Sequence, residues 1–296
     1  MLSITFSFLI SNIVLNKKIT FMNGKKLFTV IAAFATALTV IVSACKKDDD
    51  DNDDLIKVEN TDYGLYNARM EQLMNDALTF TQQSYVAGKL NMKSTAFSCA
   101  TVTVDTANRT VIVDFGTEYC LCKDSRKRKG RIIRRYTGKF ADTGKTQNVI
   151  FDNYYVNDFK VDGTISSTYK GVNAQIGSYY VLSANLSATN SITGEITTRT
   201  TEGRRIVKTG ANTEDVYDDT YAIEGYGLLT MPNGAKYNYS IEQSLNISPN
   251  CDWPLQGIVE LTQINGPARV FNYGGIGCDN KATLRADDDT KTLTLD

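Results

Sequence analysis

Histidine is absent from all 296 residues. Its absence removes Ser-His-Asp and Cys-His nucleophiles, HExxH zinc helices and every His-ligated metal site. Enzymatic chemistry would have to run through paired carboxylates, Lys, Tyr or bound calcium. An excess of basic charge is missing too. The chain holds 32 Lys and Arg against 33 Asp and Glu. Lys17, Lys18, Lys25 and Lys26 are the only charges before Cys45, so a chain beginning there has 28 basic and 33 acidic residues, a net charge of -5. That balance argues against nucleic acid as a partner. Nothing in the pattern calls for a cofactor or a metal. A hydrophobic content of 42% with 10% aromatics supports a folded domain with its own core, and the bulk composition shows no sign of disorder.

Lys25 and Lys26 precede the apolar run LFTVIAAFATALTVIVSA, which ends in small residues. Residues 1–44 therefore read as a signal peptide. A run of this length also approaches a membrane-spanning helix, but the cysteine that closes it favours cleavage. The segment before Met22 is redundant with a signal that works from Met22, which makes Met22 the expected start. Val42-Ser43-Ala44-Cys45 resembles a bacterial lipobox, which implies that Cys45 is lipidated and becomes the first residue of the mature protein. Directly after it, Lys46, Lys47, Asp48, Asp49, Asp50 and Asp51 resemble the export signal of Bacteroidetes-type surface lipoproteins. That resemblance implies a protein held on the outside of the outer membrane. Acyl chains contribute roughly 0.8 kcal/mol per buried CH₂, so a multiply acylated Cys45 would anchor a soluble domain without a spanning helix. Residues 45–60 then form a lipidated, acidic tether.

Residues 61–296 read as a single domain. Tyr66, Met70, Leu73, Met74, Ala77 and Thr81 recur at three- and four-residue spacing, predicting one amphipathic helix over 62–87. Thr61 or Asp62 is placed to cap its start and Gly88 to end it. Its opposite face is polar but not basic, which favours a helix packed on a sheet over a membrane-facing one. From about residue 97 the pattern changes to short alternating runs rich in Val, Ile, Thr and Tyr. Turns are predicted at Thr106 to Arg109, Asp142-Thr143-Gly144, Asn190 to Gly194, Asn233-Gly234 and Asn265-Gly266. Sequential hairpins of this kind predict a mainly β fold. The expected architecture is an antiparallel meander forming a sandwich or a strongly curved sheet, with the helix packed on it.

Cys99 to Cys120 and Cys251 to Cys278 each run cysteine, strand, turn, strand, cysteine, as a duplicated unit would. Past a signal peptide the compartment is oxidising and cysteines pair. The expected bridges are Cys99 with Cys120 or Cys122, and Cys251 with Cys278, each stapling the base of a hairpin.

A glycosidase would need two carboxyls in a cleft, one with a raised pKa. Asp152, Asp158, Asp162, Asp215, Asp218, Asp219, Glu224 and Glu242 are the visible acids, and all read as solvated turn or outward-facing residues. NDFKVDG (157–163) and DVYDD (215–219) offer oxygen ligands, but neither matches an EF-hand loop, and turn chemistry explains them better. Arg126, Lys127, Arg128, Lys129 and Arg131 form the sharpest charge feature. They would suit an anionic glycan or lipid phosphate, or simply an exposed, charged loop between strands. The adjacent tyrosines 154–155 and 179–180 place one ring on each face of a strand. Asp105-Thr106-Ala107 resembles a short O-glycosylation sequon of the same bacterial group, which would make Thr106 an acceptor.

The leading expectation is a lipid-anchored surface protein that binds a glycan, an envelope component or another protein without catalysis. The alternative is a periplasm-facing carrier that holds a lipid in an apolar hollow of its curved sheet, and a carboxylate glycosidase ranks third.

Overall fold

The computed structural model describes residues 62–89, 99–138, 142–210, 213, 215–275, 277–286 and 289–295, with helical side chains through residue 86. Cys45, Lys46, Lys47, Asp48 to Asp51 and Thr61 lie outside the described residues. The described residues all belong to one compact unit, Val58–Asp296.

Helix α1 (Asp62–Lys89) is followed by β1 (Thr101–Asp105), β2 (Thr110–Asp114), β3 (Cys120–Leu121), β4 (Lys127–Tyr136) and β5 (Thr146–Val156). Five long or medium strands come next: β6 (Phe159–Asn173), β7 (Gly177–Asn190), β8 (Ile196–Thr209), β9 (Thr220–Thr230) and β10 (Lys236–Ile247). The last four are β11 (Gln256–Gln263), β12 (Ala268–Asn272), β13 (Lys281–Ala286) and β14 (Asp289–Thr294). They form one antiparallel sheet in chain order from β1 to β14, with the two-residue β3 set aside against β4. A single hydrogen-bonded sheet selects the curved-sheet expectation over the sandwich. β1 and β14 are its two edges, and the sheet is not closed.

The five predicted turns all join neighbouring strands. Each contains a residue at positive φ: Arg109, Gly144, Gly194, Gly234 and Asn265. Reversing the chain in a few residues demands that conformation, and Gly and Asn adopt it at least cost. Alternation then sorts the side chains. On β7, Tyr180, Leu182, Ala184, Leu186 and Ala188 face the interior, and on β11 Val259 and Leu261 do so. Burying each large apolar side chain stabilises the fold by about 1.5–3 kcal/mol.

The sheet curls around α1. Near the helix start Tyr63 stacks on Tyr237 of β10, with ring centroids 4.8 Å apart, and Gly64 lies against the Phe271 ring of β12. Further along, Glu71 meets Arg199 of β8 and Gln82 meets Tyr221 of β9. Asp76 and the Thr81 carbonyl meet Arg128 and Arg134 of β4. One helix about 11 Å across reaches strands from β4 to β12 only if the sheet bends around it. Bulges supply part of the bend. At the β4–β5 bulge, Gly130 has φ +78°, and a Cβ there would stand 1.9 Å from the Asn153 carbonyl oxygen.

This arrangement corrects the expectation of an amphipathic helix with one wet face. Between residues 62 and 86 only Asp62 is exposed. The polar side opposite the apolar stripe is buried as well, because Asn67, Glu71 and Asp76 meet arginines that the sheet turns inward and Asn75 donates to Glu71. The helix also runs past Gly88 to Lys89.

Candidate functional site

Strand parity divides the basic stretch of 126–131 between two faces. Arg126 and Arg128 point inward, as does Arg134 further along β4, while Lys127, Lys129 and Arg131 point outward. The stretch is therefore mostly strand, not an exposed loop, and it makes no single basic patch. Arg131 is taken up by Asp114 at 2.8 Å and Asp152 at 3.4 Å. Lys129 lies over the rings of Tyr119 and Tyr155.

Arg128 is fully buried. Its Nη2 donates to Asp76 Oδ1 at 2.9 Å and to Asp124 Oδ2 at 2.6 Å, its Nη1 donates to Asp124 Oδ1 at 2.8 Å, and its Nε donates to Tyr154 Oη at 3.2 Å. Phe80 covers its guanidinium at 4.3 Å. Burial would lower its pKa, but Asp76, Tyr154 and Asp124 reverse that and hold it a cation. Burial lifts the Asp124 carboxyl; the hydrogen bonds and charge of Arg128, with help from Arg126, outweigh it and keep Asp124 below the ordinary carboxylate range. A buried cation with no carboxylate partner would be costly, so the Arg128 cluster ties α1 to β4.

Above this cluster opens a cavity of about 1150 Å³. The helix contributes Arg69, Gln72, Asn75, Asp76 and Thr79 to its wall. The β3–β4 turn adds Lys123 to Arg126, the β8–β9 connection adds Tyr217, and the β10–β11 connection adds Ser248 to Pro254. The Cys251–Cys278 bridge pins that last segment to the chain beyond β12. Arg126 spans the space between walls: Nη1 donates to Asp76 Oδ1 at 3.1 Å, and Nη2 forms an ion pair with Asp252 Oδ1 at 2.8 Å. Asn75 is 7% exposed and donates its Nδ2 to Glu71 Oε1 at 2.9 Å, while its Oδ1 has no donor. Burial, with Asp76 and Asp124 nearby, pushes Tyr217 up to about 12, so it stays a neutral hydroxyl. Trp253 is buried in the wall, with the Arg69 guanidinium 5.5 Å from its ring.

The cysteines pair as Cys99–Cys120 and Cys251–Cys278, bracketing the β1–β2 and β11–β12 hairpins. Cys122 is free and buried, its Sγ 3.5 Å from that of Cys99. Burial pushes its thiol up, against the opposing charge of Arg128. These three sulfurs are the one metal-compatible grouping among the described residues, and a disulfide already occupies two of them. Thr106 is exposed in the β1–β2 turn.

Asp215 and Asp218 behave as turn residues, Asp215 Oδ1 accepting from the Tyr217 amide and Asp218 from the Thr213 hydroxyl. Asp152, Asp162 and Glu224 lie on strands and pair with Arg131, Lys160 and Arg204. Asp219 departs from the expectation of a solvated residue. It is 6% exposed and accepts a hydrogen bond from the Tyr221 hydroxyl. Burial raises its pKa in spite of that bond and of Arg205. It is not part of the cavity wall.

The sequence reading missed Gln72, Asn75, Asp76 and Asp252. A signal for the first three was present: Asn67, Glu71 and Asn75, and likewise Gln72 and Asp76, recur at four-residue spacing and mark a second buried helix face. Nothing local marks Asp252. No described helix is long and apolar enough to cross a membrane. Comparison of the chain with protein-family models, with curated proteins and with solved structures finds no match in any of the three, so the site is read from its own geometry.

Proposed function

We propose that this is a lipid-anchored protein of the outer cell envelope, facing outward through Cys45 and its acidic run, that binds a glycan in the cavity between α1 and the β10–β11 connection without catalysis. The observation that carries the reading is the chemistry of the wall. Amides, carboxylates, hydroxyls and guanidinium groups are presented from a helix and from disulfide-pinned loops. Such rigid, convergent polar groups are what orient a ligand in a pocket. At about 1150 Å³ the cavity exceeds the usual range for small-molecule pockets, roughly 300–1,000 Å³, and has room for a short oligomer.

The alternatives have weaker support. A lipid carrier needs a wholly apolar hollow, whereas α1 fills the apolar interior of the sheet and the open space mixes polar and charged groups with Phe80, Ile247, Trp253 and Leu295. A glycosidase needs a carboxyl kept protonated beside a second one in the cleft. Asp76 and Asp124 are instead held in ion pairs with Arg126 and Arg128.

Two measurements test the reading. Protease accessibility on intact cells should show cleavage of the native chain and protection of a variant with Asp48 to Asp51 changed to alanine. Protection of both would overturn outward display. On a glycan array, the protein should retain specific glycans that a cavity-filling Thr79→Trp variant does not. Equal retention by both would remove the cavity from the function.

A further inference from the structure

The cavity wall carries charge of both signs, yet it leaves little of either to offer a ligand. Arg126 is met by Asp76 and Asp252, and the buried Arg128 by Asp76 and Asp124. Arg69, Lys123 and Asp279 also line the cavity. Counting these groups, four cations face four carboxylates, so the field in the cavity is close to neutral. An anionic ligand would have to compete with carboxylates already in place for Arg126. A cationic one would meet carboxylates already held by arginine.

Two polar atoms of the wall lack a full hydrogen bond: Asn75 Oδ1, an acceptor, has no donor, and Arg126 Nη2, a donor, has only its ion-pair contact with Asp252. Leaving such groups buried and unsatisfied is costly, which favours a ligand that satisfies them. Both lie just beneath the cavity surface, within reach of the side-chain adjustments common on binding. A hydroxyl donates and accepts at once, so a polyhydroxylated ligand matches both atoms without adding charge.

Resting on the glycan reading above, we infer that the site selects neutral saccharides and discriminates against sulfated, phosphorylated or uronic acid chains. Asp252 is the residue that maintains this selectivity, because it closes the charge balance around Arg126 from the exposed rim. The ligand class thus differs from the anionic one that the basic stretch by itself suits.

The test is calorimetric titration of the full protein, solubilised in a detergent without sugar headgroups. The probes are maltotriose, cellotriose and chitotriose, each against its sulfated form at one ionic strength. The expected result is a preference of roughly tenfold or more for the neutral forms, lost in Asp252→Asn as Arg126 becomes available to sulfate. Asp252 has a side chain 59% exposed, so the variant should fold normally. Tighter binding of the sulfated forms by the native protein would overturn the inference and leave the cavity reading standing. An unchanged preference in Asp252→Asn would overturn the role given to charge balance. Failure of the native protein and the variant to bind any of these probes, alongside an array without specific glycans, would remove the glycan reading itself.

Discussion

Removing Arg199 should destabilise the fold severely, and restoring balance at Glu71 should repair much of the loss. Arg199 is 2% exposed; its Nη2 donates to Glu71 Oε2 at 2.6 Å, its Nε donates to Asn67 Oδ1 at 3.1 Å, and its guanidinium lies 4.2 Å from the Tyr239 ring centroid. In Arg199→Met, Glu71 stays buried with its cation gone and only Asn75 Nδ2 still donating to it. Breaking a buried pair from one side costs about 3–5 kcal/mol. For a domain of this size that corresponds to a fall in Tm of roughly 6–20 °C. Adding Glu71→Leu removes the stranded carboxylate, although Asn67 and Asn75 then lose partners, so recovery is partial. Urea unfolding at pH 7 on the native protein, both single variants and the double variant gives the coupling directly. The expected coupling energy is at least about 2 kcal/mol and little changed by salt, since buried pairs are weakly screened. A cost below about 1 kcal/mol for Arg199→Met, or additivity within about 0.5 kcal/mol, would refute the view that inward arginines hold the helix in the sheet.

Three further outcomes are expected. In Cys120→Ser, Cys122 should take over the bridge to Cys99, since their sulfurs are 3.5 Å apart, and non-reducing peptide mapping should find the Cys99–Cys122 pair; a free Cys99 would count against it. Asp219→Asn should raise the urea midpoint at pH 7. Burial raises the Asp219 pKa, so its contribution to stability is full below the unfolded value of about 3.9 and is lost as pH rises through the folded value. The gain should therefore vanish in acid below that unfolded value, and an unchanged or lower midpoint at pH 7 would contradict it. Gly130→Ala should cost about 2 kcal/mol or more, because its Cβ would enter the Asn153 carbonyl at positive φ. Gly116→Ala, with φ +84° and nothing within 4 Å, should lose only about 1 kcal/mol when both variants are compared by urea unfolding.

The hairpins were legible because their signals are local. A run such as TVIVDFG or YNYSI alternates within itself, and Asn233-Gly234 or Asn265-Gly266 supplies the positive φ that reverses the chain. The disulfides were legible to within one choice, because each pair brackets one hairpin. The reading could not choose between Cys120 and Cys122, since residues two apart on a strand share a face and both reach toward Cys99. Arg128 and Asp219 were misjudged for a different reason. A charged residue in a turn or between strands is read as exposed, because burying a charge alone is prohibitive. Arg128 is buried with carboxylates from Asp76 and Asp124, and the first of these is 52 residues away.

The chain by itself determined a mainly β meander, the order of its hairpins, one leading helix and the disulfide pairing to within the choice of Cys120 or Cys122, all patterns that each short segment carries alone. The resemblance of Val42 to Cys45 to a lipobox, and of the acidic run after it to an export signal, likewise rests on sequence alone. Tertiary structure decided that the sheet wraps the helix, that arginines on alternate positions face inward, and that Asp76, Arg126 and Asp252 meet at one cavity. The physical reason is that the cost of burying a charge depends on the partner it finds inside. That partner is brought into place only when the curved sheet wraps the helix.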